Sequence, residues 1–473
     1  MTEIKALSFK YKSGDDYALR NINLNIKKGE CILLCGKSGC GKSTLLKLIN
    51  GIIPEFYDGE ICGSVRVNGI NTFTTAIYEL SKLVGSVFQN PKTQFYTTNT
   101  TDEIAFGLEN YGLESTKINK KIEEVKDTFN IDPLMNRNIF ELSGGEKQKI
   151  AIASAYALDP EVFVFDEPSS SLDIDSMKEL SKIIEKLKAL GKTIVIAEHR
   201  LWYLKAIVDR AIYMEDGKII REYNMEEIGN LSENERLKTG LRHCVYKDIN
   251  LISDRINFNE KLLLEVKNLI FKRNTKTILN IGDLKFSYGN IIGIVGKNGI
   301  GKSTFAKIIC GLYGKNKGNI LKANRTFNRR NRIKESLLIM QEVNYQLFTE
   351  TVFDEILLTS KNKSEKNIND WLKYMELENI VNRNPYTLSG GEKQRVIILS
   401  ALLSDKKVLF FDELTSGLDY RNMKIVADNI KKVKEEDKLI LIISHDIEFL
   451  ELVCDKIVEF LYHCIIIVFI FYL

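Results

Sequence analysis

Nearly every unusual string in the first half of this 473-residue chain returns in the second half, in the same order, and that duplication constrains the fold more than any other feature. GKSGCGKST, from Gly36, returns as GKNGIGKST from Gly296, and LSGGEKQKI, from Leu142, as LSGGEKQRV from Leu388. VFVFDEPSSSLD, from Val162, returns as VLFFDELTSGLD from Val408, and TIVIAEH, from Thr193, as LILIISH from Leu439. Two copies of one domain follow, and 44% hydrophobic residues supply two cores of ordinary size. The strings place the copies at 1–228 and 262–460, joined by a polar, charge-mixed linker at 229–261 and followed by an irregular apolar tail at 461–473.

Within each copy, short β-rich runs such as CILLC, VFVFD and TIVIA alternate with helical periodicity such as Ser176 to Leu190. That alternation predicts an α/β fold with a largely parallel sheet. Ligands of such sheets bind at the carboxyl ends of the strands, which is where the repeated strings fall.

The apolar run Cys31 to Cys35 enters Gly36, and a helix is expected to open near Lys42, the context that a G-x4-G-K-[ST] phosphate loop requires. Its residues are Gly36, Lys37, Ser38, Gly39, Cys40, Gly41, Lys42, Ser43 and Thr44. Glycines let backbone amides turn toward a β-phosphate, the lysine supplies charge to the β and γ groups, and the serine offers a hydroxyl to Mg2+. In the second copy the loop is Gly296, Lys297, Asn298, Gly299, Ile300, Gly301, Lys302, Ser303 and Thr304. One such string arises by chance as a glycine-rich turn in on the order of one such chain in fifty; two, each after an apolar strand, do not.

The run Val162 to Phe165 delivers Asp166 and Glu167 at its end, and Asp412 and Glu413 repeat them. Downstream of a phosphate loop, the aspartate suits a magnesium shell and the glutamate suits polarising an attacking water. Of four histidines, His199 and His445 follow apolar runs at the same offset from these acids, which favours a γ-phosphate sensor over a structural histidine. Ser143, Gly144 and Gly145, and their counterparts Ser389, Gly390 and Gly391, precede a helix, so their amides and hydroxyl form a second anion site in each copy.

Taken together, both phosphate loops, Gln89, LSGGE, the Asp-Glu pair, Ser171-Leu172-Asp173 and His199 resemble the ATP-binding cassette (ABC) ATPases over essentially the whole chain. The resemblance implies two P-loop NTPase domains, each with an antiparallel β subdomain and a helical signature subdomain beside the parallel sheet. It implies ATP and Mg2+ as cofactors, with Ser43, Gln89 and Asp166, and Ser303, Gln341 and Asp412, around the metal. Docked head to tail, the copies would share two composite sites, with Lys42, Ser43, Asp166 and Glu167 facing Ser389 to Gly391, and the reciprocal set facing Ser143 to Gly145. Tyr11 matches the aromatic that stacks on adenine, and Arg273 stands at that position in the second copy.

VFQNPKTQFYTTNTTDEIAFGLENYG, from Val87, and AEHRLWYL, from Ala197, resemble the energy-coupling factor and cobalt-type importers. A partial echo, MQEVNYQLFTETVFDEILL, starts at Met340. The implied role is a motor at the cytoplasmic face of the membrane for uptake of a vitamin or transition-metal ion, with separate transmembrane coupling and substrate-binding subunits, and Gln94 and Phe95 facing a coupling helix. Two alternatives are a ribosome-associated tandem cassette factor, which usually carries a longer charged linker, and a tandem sugar-importer ATPase, whose second phosphate loop commonly departs from consensus.

A formal charge of +4 from 67 basic and 63 acidic residues, spread without a stripe, argues against a dedicated nucleic-acid surface. Eight cysteines without a C-x2-C pair point to reduced thiols rather than zinc, and MTEIKALSFKYK lacks the apolar core of a secretory signal. From Phe460 to Leu473 the chain has 14 uncharged residues, short of the ~20 that span a bilayer. A membrane anchor, a partner-facing segment and an altered reading frame are the three readings of that tail, the last fitting the abrupt loss of similarity to the first copy.

Overall fold

The computed structural model describes the chain apart from residues 13, 15, 247–262, 274, 315–316, 341–342, 361–364, 416, 433, 435–437, 462–463 and 470–473, and apart from the side chains of 263, 276, 365–367 and 464–469. Two compact units are present, Met1–Tyr246 with Asp419–Arg421, and Lys247–Leu418 with Asn422–Leu473.

The first unit holds strands β1 (Thr2–Tyr11), β2 (Leu19–Ile26), β3 (Cys31–Gly36), β4 (Gly59–Val67), β5 (Ile70–Asn71), β6 (Val84–Val87), β7 (Val162–Asp166), β8 (Thr193–Ala197), β9 (Arg210–Glu215) and β10 (Lys218–Tyr223). β1, β2, β4 and β5 form an antiparallel sheet in the order β2-β1-β4-β5. The others form a six-stranded sheet in the order β10-β9-β3-β8-β7-β6, parallel except for the β9–β10 hairpin.

Alternation along the central strands explains why the sheet is buried on both faces. Cys31, Leu33 and Cys35 of β3, with Phe163 and Phe165 of β7, pack into one apolar cluster with the helices Thr100–Asn110, Gly144–Ala157 and Ile174–Ala189. Ile32 and Leu34, with Val162 and Val164, pack into another with the helix Lys42–Ile49 and the antiparallel sheet. Every position is therefore apolar, the signature of a parallel strand covered on both sides. Each such side chain contributes about 1.5–3 kcal/mol of burial.

In the second unit the strands are β11 (Leu263–Arg273), β12 (Lys276–Ile281), β13 (Leu284–Ser287), β14 (Ile291–Val295), β15 (Lys317–Lys322), β16 (Arg325–Thr326), β17 (Ser336–Ile339), β18 (Val408–Asp412), β19 (Leu439–Ile443), β20 (Lys456–Leu461) and β21 (Cys464–Phe469). Its six-stranded sheet runs β17-β18-β19-β14-β20-β21, the same order read from the other edge. The α/β architecture expected from the alternation is thus present twice, with an antiparallel sheet built around β11 beside it.

Two boundaries differ from the sequence reading. Helices Met225–Gly229 and Glu233–Thr239 each open with a capping box, Asn224 with Glu227 and Ser232 with Glu235. Met225, Ile228, Leu241 and Cys244 then enter the same cluster as Leu33 and Phe165. Polar composition hid these few apolar anchors, so the first unit continues past 228 to Tyr246, into the segment assigned to the linker.

Nor is the tail at 461–473 irregular throughout. β21 pairs antiparallel with β20 from Lys456↔Phe469 to Leu461↔Cys464, the place that β10 holds beside β9. The run Ile465 to Val468 is β-branched and suits a strand, and it gives β20 a second ladder. Deleting 462–473 is therefore expected to lower the melting temperature of the second unit by several degrees, measurable by calorimetry; an unchanged transition would show that this ladder carries no stability.

Candidate phosphate-binding and hydrolytic site

β3 ends at Gly36 between β8 and β9, and the chain then turns through Gly36, Gly39 and Gly41 at φ 141°, 80° and 102°. These angles lie outside the range that other residues adopt readily. Gly41 is the N-cap of the helix Lys42–Ile49, so the amides of its first turn face the loop. Lys42 is 5% exposed. Its Nζ donates to the carbonyl oxygens of Gly36 and Lys37, each at 3.0 Å, which holds the ammonium inside the loop.

Ser43 Oγ donates to Asp166 Oδ1 at 2.7 Å, joining the phosphate-loop helix to the end of β7. Burial raises the Asp166 carboxyl above its ordinary range, while Ser43, Lys47 and Lys42 oppose the rise. Glu167 follows at φ 44°, with its amide donating to Ala197 O at 2.9 Å. Gln89 Nε2 donates to Glu167 Oε2 at 3.0 Å, and His199 Nε2 lies 3.5 Å from Glu167 Oε1. Burial raises the Glu167 carboxyl to about 7, the neighbouring Glu198 adding to the rise and Lys42 opposing it. Burial first, and the nearby Lys42 and Arg242 cations second, lower His199 well below its usual value, which favours the neutral imidazole.

The second unit repeats the set. Gly301 caps the helix Lys302–Ile309 at φ 104°, and Lys302 Nζ donates to Gly296 O at 2.6 Å and Lys297 O at 3.0 Å. Ser303 bonds to Asp412, Glu413 adopts φ 56°, and His445 Nε2 lies 3.7 Å from Glu413 Oε1. A left-handed glutamate at one position could be incidental. The same strained conformation at the matching position of both copies marks a place where the fold serves the site. Gln341 lies outside the described residues.

Within each unit the loop lysine, the serine, the acidic pair and the histidine therefore come together as the spacing predicts. Tyr11 joins them through Thr44, its hydroxyl 3.1 Å from Thr44 Oγ1. Arg273 ends β11 with its side chain exposed. Ser143 and Ser389 sit at the N-caps of Gly144–Ala157 and Gly390–Leu402, each hydroxyl capping its own helix in a capping box with Glu146 or Glu392. Among the described residues, Arg242 and Glu198, both buried and both acting on Glu167, lay beyond sequence reasoning. Glu198, used there only as part of a family string, is buried behind Glu167, and its signal is that the second copy carries Ser444 instead.

Among known proteins, the ABC transporter family model matches residues 19–170 and 279–416, once in each unit. A Treponema denticola protein named "Putative ABC transporter ATP-binding protein" is 42% identical over 466 residues, covering 97% of this chain and 94% of its own length. A Clostridium perfringens relative of the same description is 34% identical over 500 residues, covering 96% and 88%. Among solved structures, one titled RNase-L Inhibitor superposes with a TM-score of 0.65 over 98% of this chain and 90% of its own, at 22% identity, a likeness of fold. With a matched cassette in each unit and relatives alike along nearly their whole length, the chain belongs to the ABC transporter family and is an ABC ATPase with two fused cassettes.

Proposed function

We propose that the chain is the motor of an importer of the energy-coupling factor type, hydrolysing ATP at the cytoplasmic face of the membrane to drive uptake of a vitamin or transition-metal ion through separate membrane subunits. Among the described residues no helix is long and apolar enough to cross a membrane, so the conduit in this reading belongs to partners. ATP binds at each phosphate loop and is completed by the serine and glycines of the other copy's LSGGE, so that binding draws the copies together and moves the partner.

One observation carries the importer reading. After β6, Gln94 pins its loop by donating to Ser86 O at 3.0 Å and accepting from Phe88 N at 3.4 Å. Glu103 fastens the next stretch through the amides of Tyr96 and Thr97, at 3.0 and 2.8 Å. Ile139 N reaches Thr98 O at 2.9 Å. On this rigid frame Tyr96 is 79% exposed and Phe140 73%, large rings left in water. The second copy builds the same frame with Gln346 and Glu355 and exposes Phe348 to 73%. Such rigid aromatic surfaces suit an amphipathic coupling helix.

Within each site the residues divide the work. Glu167 and Glu413 polarise the attacking water, His199 and His445 donate to the γ-phosphate or orient that water, and Lys42 and Lys302 hold the β- and γ-phosphates. Half-buried oxygen donors from Ser43 and Asp166, and from Ser303 and Asp412, suit a small hard cation that keeps most of its shell for water and phosphate. Mg2+ held there would neutralise phosphate charge.

Affinity isolation of the chain from membranes of the cells that encode it tests the assignment. Multi-spanning subunits should co-purify and be lost from a Tyr96→Glu, Phe140→Glu double variant that keeps its ATPase rate. Recovery with ribosomes instead would overturn it.

A further inference from the structure

The turn after β8 holds a carboxylate whose one part in the chemistry above is to help raise the neighbouring Glu167. Glu198 is 3% exposed, a depth at which a carboxylate persists only with its oxygens filled by donors. Oε1 accepts from the amide of Ser169 at 3.2 Å and from the hydroxyl of Tyr203 at 2.8 Å. Oε2 accepts from the amides of His199 at 2.7 Å and Arg200 at 3.3 Å. Arg200 Nη1 returns a bond to Ser169 O at 3.4 Å. Ser169 lies two residues past Glu167, and His199 is the next residue after Glu198, so one side chain clamps the two loops that carry the site's base and its histidine.

The second copy is an internal comparison. At the matching positions it has Thr415 for Ser169, Ser444 for Glu198, Asp446 for Arg200 and Phe449 for Tyr203. Ser444 Oγ accepts locally, from Asp446 N at 3.1 Å, and Asp446 caps the helix Ile447–Val453 through Phe449 N at 3.3 Å. A phenol occurs where the carboxylate occurs, and a phenyl where it does not, although both rings are buried. That pairing follows from a hydrogen bond rather than from packing alone. His445 Nε2 meanwhile lies 3.2 Å from Lys302 Nζ and 3.0 Å from Asn298 Oδ1, engaged with the phosphate loop.

We propose that Glu198 is a positioning residue that locks Glu167 and His199 into one piece, giving the first site a preformed hydrolytic geometry through a buried carboxylate that the second copy replaces with Ser444. The two cassettes then differ in how their water and γ-phosphate groups are set, although their phosphate loops match. The proposal rests on the reading of Glu167 as the water-polarising base.

The test uses the full chain with Glu413→Gln, so that turnover reports the first site. Glu198→Ser combined with Tyr203→Phe installs the pair that the second copy already accommodates. The expected result is a fall in kcat of about tenfold or more with KM within about twofold, since positioning acts on the reacting geometry and not on nucleotide affinity. Glu198→Gln should not restore the rate, because either way round its amide nitrogen would face at least one backbone N–H donor, that of Ser169 or those of His199 and Arg200. Melting temperature and fluorescent-nucleotide binding identify folded variants, and Tyr203→Phe alone, which keeps the carboxylate, should lose less than about threefold. A folded, ATP-binding Glu198→Ser, Tyr203→Phe chain with kcat within twofold would overturn the proposal, as would full activity in Glu198→Gln. If Glu167→Gln in the same background leaves turnover intact, the base assignment and the proposal fall together.

Discussion

A chain carrying both Glu167→Gln and Glu413→Gln is expected to bind ATP with unchanged affinity and to hydrolyse it at least about a hundredfold more slowly. The amide keeps the volume of the carboxylate and can still accept from Gln89, whose Nε2 lies 3.0 Å from Glu167 Oε2, so the local geometry should persist. What it lacks is basicity. Burial, with Glu198 beside it, brings the Glu167 carboxyl to about 7, where a base is ionised for much of the time and still draws strongly on a proton. Steady-state phosphate release and fluorescent-nucleotide titration measure the two halves of the prediction. Turnover within about threefold of the unsubstituted chain would remove both glutamates from the mechanism.

The second large effect is structural. A methyl group on Gly36 would collide with the carbonyl oxygen of Met214 on β9, and one on Gly296 would lie 2.5 Å from Phe460 O on β20. Neither partner can retreat, because each is backbone of a sheet strand. Gly36→Ala and Gly296→Ala are each expected to cost their unit about 2–4 kcal/mol. Gly39 is the control: at φ 80° it has no neighbour within 4 Å of its would-be Cβ, so alanine there should cost about 1 kcal/mol. Thermal denaturation of the three variants decides. Equal shifts for Gly36→Ala and Gly39→Ala would show that the close approach to β9 does not govern the loop.

Legibility in the sequence followed the range of the interactions. The doubled α/β plan was readable because β3, β7 and β8, apolar on both faces, stand out against the helical periodicity between them. Lys42, Ser43, Asp166, Glu167 and His199 were readable because each ends a strand or opens a helix, so one-dimensional spacing carries their position. Glu198 was not, since its partners Ser169 and Tyr203 belong to separate loops that meet only in the folded chain. The extent of the first unit was missed for a related reason. Ile228, Leu241 and Cys244 are isolated apolar residues in a charged stretch, and only packing shows that they anchor it. The tail was read from its lost similarity to β10, whereas a strand needs backbone partners and tolerable side chains rather than a particular string.

The left-handed backbone at Glu167 and Glu413 sets stability against use. Glycine would occupy either position without the roughly 1 kcal/mol of strain that a side chain brings there. A library of these chains screened only for resistance to heat should therefore enrich glycine at both positions while turnover disappears. Heat tolerance is the wrong screen for improving this protein as an ATPase, because at these two residues the more durable chain is the idle one.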